Sequence, residues 1–190
     1  MKELKDRIMT EGIALGTEIL KVDSFLNHQI DVKLMDKIGA EFARIFSDCQ
    51  IDKVVTVEAS GIPVACFAAK HLGNVPVVFA KKHAPNTMVE DSYSAGSRSF
   101  TKGTVSMLRI SQKFLKEGEK VLIIDDFLAH GQAALALVNI IEQSGAELVG
   151  GGFVIEKEFQ GGADRLREKG IRVESLAVIK SISDGNIEFA

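Results

Sequence analysis

Residues 121 to 134 read VLIIDDFLAHGQAA and carry the main signal of fold and chemistry. Four apolar residues, Val121–Ile124, follow one another without polar alternation, which predicts a strand buried on both faces of a sheet. Asp125 and Asp126 come next, where such a strand is expected to leave the sheet. Paired carboxylates can accept hydrogen bonds from hydroxyl groups and can help to hold Mg²⁺. The stretch therefore predicts an acidic site at the carboxyl end of a buried strand.

A turn of small and polar residues follows the acidic pair and opens a predicted helix. The turn consists of Ala129, His130, Gly131, Gln132 and Ala133. The apolar face of the helix consists of Ala134, Leu137, Val138 and Ile141. Backbone N–H groups and the positive dipole end at a helix start favour phosphate binding. Strand, acidic pair, turn and helix together predict a site for a phosphorylated, hydroxylated ligand. For the pair alone, a solvated loop is the alternative.

Composition favours a single domain over residues 1–190 and argues against nucleic acid as a partner. The chain has 190 residues, 46% of them hydrophobic, and a net charge of −3. Domains that bind nucleic acid usually carry a basic face. Cys49 and Cys66 are too few for a disulfide framework and are predicted to be buried free thiols. Because the N-terminus lacks a signal-peptide core and no run could span a membrane, we expect a cytoplasmic protein.

Strands alternate with helices along the chain, which predicts an α/β fold with a mostly parallel sheet flanked by helices. Strands are predicted over residues 53–57, 75–80, 105–110, 121–124, 148–155 and 173–179. Helices are predicted over residues 2–15, 32–46, 62–71, 134–144 and 163–169. Asp31 is a candidate N-cap for the second helix. The glycines at 150, 151 and 152 allow another part of the chain to approach the strand closely.

The carboxyl ends of two predicted strands carry polar or small residues that suit ligand binding. One is the acidic pair, and the other is the turn formed by Glu58, Ala59, Ser60 and Gly61. Ligands of parallel sheets bind beyond the carboxyl ends of the strands, so both segments are predicted to share one site. Residues 81–104, which begin with Lys81 and Lys82, are long for a connection and predict either a disordered segment or a lid.

VLIIDDFLAHGQA resembles the phosphoribosyl-diphosphate (PRPP) signature of the type I phosphoribosyltransferases. Further segments resemble the branch of that family that acts on xanthine: LKVDSFLNHQID at 20–31, VEASGIP at 57–63, VPVVFAKK at 75–82 and FVIEKEFQ at 153–160. The resemblance covers nearly the whole chain. It implies the type I fold with a small N-terminal hood over about residues 1–35 and a flexible lid loop. It also implies Mg²⁺ as cofactor and a homodimer.

The resemblance implies a reaction as well: transfer of the 5-phosphoribosyl group from PRPP to N9 of xanthine, giving xanthosine 5′-monophosphate and pyrophosphate in purine salvage. The residues expected to act in catalysis are Asp125, Asp126, Lys81 and Lys82. The residues expected to bind PRPP are Glu58, Ala59, Ser60, Gly61, Ala129, His130, Gly131, Gln132 and Ala133. Mg²⁺ is expected to bind through PRPP, with Asp125 and Asp126 as candidates to help hold it, directly or through water.

A base pocket is implied by the same resemblance. The residues expected to contact xanthine are Leu20, Asn27 and Lys157, while Phe127 or Phe159 either stacks on the purine or belongs to the core. Tyr93, Ser94, Ser99 and Lys102 are candidate lid contacts. The phosphate loop ends in Gln132-Ala133, where the commoner family form ends in Thr. We therefore expect backbone N–H groups, more than a side-chain hydroxyl, to hold the 5′-phosphate.

Alternative functions stay open from the sequence. One is a phosphoribosyltransferase for guanine or hypoxanthine, and another is a non-catalytic regulator that binds PRPP. Adenine is disfavoured because it presents a donor where xanthine has a carbonyl, and Lys157 can only donate. The chain has no GxxxxGK[ST] and no GxGxxG after a strand, which argues against other nucleotide-binding folds. The four histidines lack a zinc-ligand spacing.

Overall fold

The computed structural model describes residues 1–82, 91–98, 105–183 and 185–190. Two of the candidate lid contacts, Ser99 and Lys102, lie outside these residues, as does most of the expected lid loop. The helices are α1 (Lys2–Glu11), α2 (Val32–Ile45), α3 (Gly61–His71), α4 (Gln132–Ser144) and α5 (Gly162–Arg167). The strands are β1 (Ile13–Leu15), β2 (Ile19–Lys21), β3 (Lys53–Val57), β4 (Val77–Ala80), β5 (Ser92–Arg98), β6 (Val105–Ser111), β7 (Lys120–Leu128), β8 (Glu147–Lys157), β9 (Val173–Ser183) and β10 (Asn186–Phe189).

A six-stranded sheet in the order β10-β9-β8-β7-β3-β4 forms the centre of the described fold. Its pairs are parallel except for β9 with β10, which run antiparallel. Two antiparallel hairpins, β1 with β2 and β5 with β6, stand apart from this sheet. The predicted α/β fold with a mostly parallel sheet flanked by helices is confirmed.

The hydrophobic core lies on both faces of the sheet because its central strand is apolar on both faces. On β7, Leu122 and Ile124 pack in the core beneath α1, α2 and α3. The alternate residues Val121 and Ile123 pack in the core beneath α4 and α5. All four side chains are at most 1% exposed. The unbroken apolar run therefore forms a strand that helices cover on both faces, as the sequence predicted.

The acidic pair lies within β7, whereas the sequence predicted that the strand would end at Ile124. β7 continues to Leu128 because β8 pairs with it along this length, with Asp125 opposite Phe153 and Leu128 opposite Glu156. The strand partner, which local sequence cannot reveal, supplies the hydrogen bonds that keep the polar residues extended. Asp125 and Asp126 are thus held by a sheet, which fixes their backbone more firmly than a loop would.

Several further boundaries differ from the sequence prediction. α1 ends at Glu11, not at residue 15, because Gly12 adopts an extended backbone and Ile13–Leu15 pairs with β2. Part of the 81–104 segment forms β5, paired with β6. The strand β10 was not predicted from its short, polar sequence. Cys66 is exposed and Cys49 half-buried, so the prediction of buried thiols is wrong, although both are free.

The predicted helix ends are confirmed where capping chemistry is strong. Asp31 accepts a hydrogen bond at Oδ1 from the backbone N–H of Leu34, 3.0 Å away, as an N-cap should. Gly145 follows α4 in the left-handed conformation with φ of 73°. Among the described residues, none of the helices has the length and apolar character needed to cross a bilayer.

The glycines of β8 let an aromatic side chain of α2 lie directly on the sheet. A β-carbon at Gly152 would stand 2.8 Å from Cε1 of Phe42 and 2.7 Å from Cδ1 of Ile124. Phe42 is fully buried, so its ring has little freedom to withdraw. The close approach that the glycine run predicted is therefore confirmed, and it determines how tightly α2 packs on β8.

Replacing Gly152 with Ala is expected to lower the free energy of unfolding by about 1–3 kcal/mol, because the new methyl group overlaps the Phe42 ring. Urea denaturation of the wild type, Gly152→Ala, Phe42→Leu and the double variant measures the effect. Because the smaller Leu side chain gives the methyl group room, the double variant should lose less stability than the two single losses combined. A Gly152→Ala protein as stable as the wild type would contradict this packing.

Candidate active site

Two adjoining clefts open at the carboxyl end of the sheet. The first, called the loop cleft, has a volume of about 280 Å³ and is lined by residues 129–133 together with Ile19, Phe127 and Lys157. The second, called the acidic cleft, has a volume of about 330 Å³ and is lined by Asp125 and Asp126 together with Glu58 and Ser60. Ser97 and Ala133 line both clefts, so the two form one continuous site. The acidic pair and the turn after β3, which were predicted to share one site, thus line the same cleft.

The turn between β7 and α4 has the geometry of an anion-binding loop. Gly131 is the N-cap of α4 and has a φ of 75°, a left-handed conformation that glycine adopts without steric cost. No side chain caps this helix start within the described residues. The first backbone N–H groups of α4, beginning at Gln132, are consequently left for a ligand, and the helix dipole adds positive potential there.

The outer side of this loop is packed against α5, a support that sequence reasoning missed. A β-carbon at Gly162 would lie 2.2 Å from the carbonyl oxygen of Ala129, so the two backbones touch. Arg165 Nη1 donates to the carbonyl oxygen of His130 at 2.8 Å. His130 Nδ1 lies 3.3 Å from the carbonyl oxygen of Gln160, so this histidine is held against the protein. The Gly161-Gly162 doublet was the available sequence signal.

Asp125 and Asp126 are both buried, at 9% and 7% exposure. The backbone N–H of Asp126 donates to Oδ1 of Asp125 at 2.9 Å, and the side-chain amide of Asn27 donates to Oδ2 of Asp126 at 3.2 Å. Burial raises the pKa of Asp125 well above its usual range, and the neighbouring Asp126 charge raises it further. The N–H of Asp126 and the charge of Lys82 oppose this rise in pKa. The pair is therefore a strong attractor for hydroxyl donors or a cation.

The turn after β3 brings a second set of small residues to the acidic cleft. Glu58 and Ser60 line the cleft, and Gly61 begins α3. The Glu58–Ala59 peptide bond is cis. Oε1 of Glu58 accepts a hydrogen bond of 2.6 Å from the backbone N–H of Lys82, which ties the turn to the residue after β4. The turn after β3 thus lines the acidic cleft, and the turn after β7 reaches the same cleft at Ala133.

The two adjacent lysines have different surroundings. Lys82 is exposed at the acidic cleft, where its charge acts on Asp125. Lys81 pairs through its backbone with Arg109, and its Nζ lies 5.8 Å from the centroid of the Phe79 ring. It lines a separate apolar cavity with Phe79 and Phe114 on the outer side of β4. Of the two lysines, therefore, Lys82 lines the acidic cleft and Lys81 does not.

Lys157 stands at the end of β8, in the loop cleft. Its Nζ donates to the carbonyl oxygen of Glu18 at 2.6 Å and lies 5.5 Å from the centroid of the Phe127 ring. Burial lowers the pKa of Lys157, while the nearby charge of Glu18 acts to raise it. A partly dehydrated ammonium group beside an aromatic ring is well suited to bind a carbonyl-bearing heterocycle.

The other residues expected at the base pocket are distributed unevenly. Phe127 lines the loop cleft, whereas Phe159 is 41% exposed and does not line it. Leu20 is 7% exposed and packs in the core, and its neighbour Ile19 faces the cleft in its place. Asn27 is connected to the site by the hydrogen bond from its side-chain amide to Asp126. The hood is therefore joined to the site by hydrogen bonds from both Asn27 and Lys157.

Of the candidate lid contacts that the structure describes, neither lines a cleft. Ser94 exchanges two hydrogen bonds with the side chain of Gln143 on α4, its N–H donating and its carbonyl accepting. Tyr93 packs against the core beneath α4. Ser97, which sequence reasoning passed over, is the residue of β5 that reaches both clefts. Ser94 faces the other side of β5, because side chains alternate along a strand, whereas Tyr93 shares the face of Ser97 and lies farther along the strand, against the core.

The sequence matches the phosphoribosyl transferase domain over residues 22–183. It is 54% identical to a xanthine phosphoribosyltransferase of Acinetobacter baumannii over 189 residues, covering 100% of this chain and 98% of the relative. It is 53% identical to a xanthine phosphoribosyltransferase of Lactococcus lactis subsp. cremoris, covering 100% of this chain and 96% of the relative. Among solved structures, an adenine phosphoribosyltransferase of Giardia lamblia has a TM-score of 0.75 at 20% identity, covering 92% and 96% of the two chains, which shows the shared fold.

Replacing Gly61 with Ala is expected to disrupt the acidic cleft, because the added β-carbon would lie 2.1 Å from Oγ1 of Thr56 and 2.3 Å from Oδ1 of Asp125. Both oxygens are buried, so the overlap should lower the free energy of unfolding by about 1–3 kcal/mol. Chemical denaturation measures the loss. Ser60→Ala is the control, since the Ser60 side chain makes no capping hydrogen bond and its removal should change stability little. Equal stability of the two variants would contradict the close contact at Gly61.

Proposed function

The chain belongs to the phosphoribosyl transferase family, and we propose that it transfers the 5-phosphoribosyl group of PRPP to N9 of xanthine. The products are xanthosine 5′-monophosphate and pyrophosphate, in purine salvage. The observation that carries the proposal is the single site in which the helix-start loop, the buried acidic pair and Lys157 meet. Each of these features matches one part of the two substrates: phosphate, ribose hydroxyls and an oxopurine ring.

PRPP occupies both clefts in this proposal. The 5′-phosphate binds at the start of α4, to backbone N–H groups of residues 129–133, because that helix end is uncapped and positive. The ribose 2′- and 3′-hydroxyls donate to Asp125 and Asp126. The pyrophosphate group lies toward the 58–61 turn, near Lys82. This arrangement holds both ends of PRPP and leaves C1 facing the loop cleft.

The reaction breaks the bond between C1 and the pyrophosphate oxygen and forms the bond between C1 and N9. Positive charge develops on the ribose as the old bond breaks, and negative charge grows on the leaving pyrophosphate. Asp125 and Asp126 stabilise the positive charge on the ribose, since fixed charges in a buried site need no reorganisation. Lys82, which lines the acidic cleft, stabilises the negative charge on the pyrophosphate. The N9 proton passes to solvent, because an oxopurine is acidic enough to lose it without a dedicated base.

Mg²⁺ is the cofactor that we propose for this site. Within the described residues, no cluster of three His, Cys, Asp or Glu side chains could enclose a metal ion. Two adjacent carboxylates are nevertheless a suitable donor set, because Mg²⁺ usually takes one or two carboxylates and completes its shell with water and substrate oxygens. Asp125 and Asp126, with the diphosphate of PRPP, would hold it. Its chemistry there is neutralisation of charge on the leaving pyrophosphate.

Base recognition depends on groups that donate to carbonyl oxygens. Xanthine has two ring carbonyls, hypoxanthine and guanine have one each, and adenine has none. Lys157 can donate to a carbonyl from its place beside Phe127, and the Asn27 amide can both donate and accept. Leu20 packs in the core and so holds the β1–β2 hairpin in place beside the pocket. These features support xanthine over adenine, with guanine or hypoxanthine as the second candidate.

We also propose that the protein forms a homodimer and acts in the cytoplasm. Phe79 and Phe114 are 37% and 58% exposed on the outer side of β4, next to Lys81, which suits a homodimer interface. In such a dimer Lys81 would face the partner and could act at its site. The free thiols, one of them exposed, suit a reducing cytoplasm.

Turnover with PRPP and Mg²⁺ is expected to be fastest with xanthine when xanthine, guanine, hypoxanthine and adenine are compared by pyrophosphate release. Lys157→Met should lower kcat/KM for xanthine roughly tenfold or more, because a charge-assisted hydrogen bond is lost. The matched control is Lys169→Met, an exposed lysine outside both clefts. Faster turnover with another base would keep the mechanism and contradict the base pocket. PRPP-dependent thermal stabilisation without any turnover would favour the regulator alternative.

The double variant Asp125→Asn, Asp126→Asn is expected to lose kcat by about 100-fold or more, because the fixed negative charge beside the ribose is removed. The fold should be retained, since the amides keep the size of the carboxylates and remove a buried like-charge contact. Steady-state kinetics and circular dichroism measure the two effects. Asp164→Asn, at an exposed position on α5, is the control and should keep wild-type kcat. A double variant with near-normal turnover would contradict the roles assigned to the pair.

A further inference from the structure

Thr56 is a buried polar residue for which the fold alone gives no reason. It lies in β3, in the sequence KVVTV, and is 0% exposed. Its Oγ1 has no hydrogen-bond partner among the residues that the structure describes. A buried hydroxyl without a partner is less favourable than one that is paired, because it has lost its hydrogen bonds to water. Valine has nearly the same shape and would avoid this cost, so packing does not explain a threonine here.

The Thr56 hydroxyl and the Asp125 carboxylate converge on one point of the structure. A β-carbon at Gly61 would be 2.1 Å from Oγ1 of Thr56 and 2.3 Å from Oδ1 of Asp125. Both oxygens therefore lie against the same face of the Gly61 α-carbon, at the start of α3. A small rotation of either side chain would bring a donor and an acceptor together. The missing side chain of Gly61 is what leaves this space open.

Asp125 has fewer hydrogen-bond donors than a buried carboxylate needs. Among the described residues, the backbone N–H of Asp126 is the group that donates to it, at Oδ1. A buried carboxylate is stable when several donors share its charge. The N-terminus of α3, an eleven-residue helix, supplies favourable dipole potential beside it. The Thr56 hydroxyl is the nearby uncharged donor that could complete this set.

We propose that Thr56 is a positioning residue whose hydroxyl donates to Asp125 and orients its carboxylate toward the ribose of PRPP. This inference rests on the proposed function, in which Asp125 binds the ribose hydroxyls. Thr56 acts through Asp125, because it is fully buried and lines neither cleft. When the ribose hydroxyls draw the Asp125 carboxylate toward them, its other side turns to the Thr56 hydroxyl. The carboxylate is then held from both sides.

The test compares Thr56→Val, Thr56→Ser and Val54→Ala with the wild type. Thr56→Val removes the hydroxyl and keeps the shape. Thr56→Ser keeps the hydroxyl and removes a methyl group. Val54→Ala perturbs the same strand two residues earlier, at another fully buried position, without approaching Asp125. The readouts are kcat, KM for xanthine, the dissociation constant of PRPP in the presence of Mg²⁺, and thermal stability.

Thr56→Val should be at least as stable as the wild type, because an unpaired buried hydroxyl is replaced by a methyl group. Its kcat should nevertheless fall roughly tenfold, and its PRPP dissociation constant should rise about three- to fivefold, as expected for one lost hydrogen bond. KM for xanthine should stay within about twofold. Thr56→Ser should restore kcat to within about threefold of the wild type, and Val54→Ala should lose stability while keeping kcat.

Wild-type kcat and wild-type PRPP binding in Thr56→Val would overturn the inference. An equal loss in Thr56→Ser would overturn it as well, because the effect would then come from packing. If the wild type turns over no purine base, the proposed function fails, and the PRPP dissociation constants alone decide the role of Thr56. In that case weaker binding in Thr56→Val, with recovery in Thr56→Ser, supports the inference, and unchanged binding overturns it.

Discussion

Two neighbouring carboxylates buried in the central strand of the sheet are the constraint on which the rest of the site depends. Asp125 and Asp126 belong to β7, which is paired on one side with β8 along most of its length and on the other with β3. Burying such a pair is unfavourable, because each charge loses water and opposes the other. The surrounding structure offsets this with an N–H group, an amide and a helix start. The pair is therefore fixed in place and available to bind hydroxyl groups.

Close backbone contacts hold the elements around this pair in position. Gly162 brings the start of α5 against the Ala129 carbonyl, so the turn between β7 and α4 is packed on its outer side. Gly61 lets the start of α3 approach β7, and Gly152 lets α2 approach β8. At each of these contacts a β-carbon would overlap a neighbouring atom. Small residues at these positions thus set the distances between neighbouring elements of the fold.

The hood and the sheet are joined through the same side chains that we assign to base recognition. Asn27 donates to Asp126, and Lys157 donates to the carbonyl oxygen of Glu18 in the hood hairpin. A base that binds to either side chain must share or replace these hydrogen bonds. Base selection and hood position are for that reason physically connected, since each hydrogen bond of Asn27 or Lys157 belongs to both.

Local patterns in the sequence were sufficient for the class of fold, the capping of α2 by Asp31 and the turn before α4, because these depend on residues close together in the chain. Pairing partners and packing partners determine the rest. β8 extends β7 through the acidic pair, pairing with β2 keeps residues 13–15 out of α1, and α5 packs against the turn before α4. Lys81 and Lys82 are adjacent in the chain, yet they line different cavities. Thr56, Gly61 and Asp125 lie in three different segments, yet they come together. Spacing along the chain predicts neither arrangement. Sequence patterns alone indicate which chemical groups are present and on which kind of element they lie. Which of these groups come into contact depends on the packing of the whole sheet, because that packing brings distant segments together.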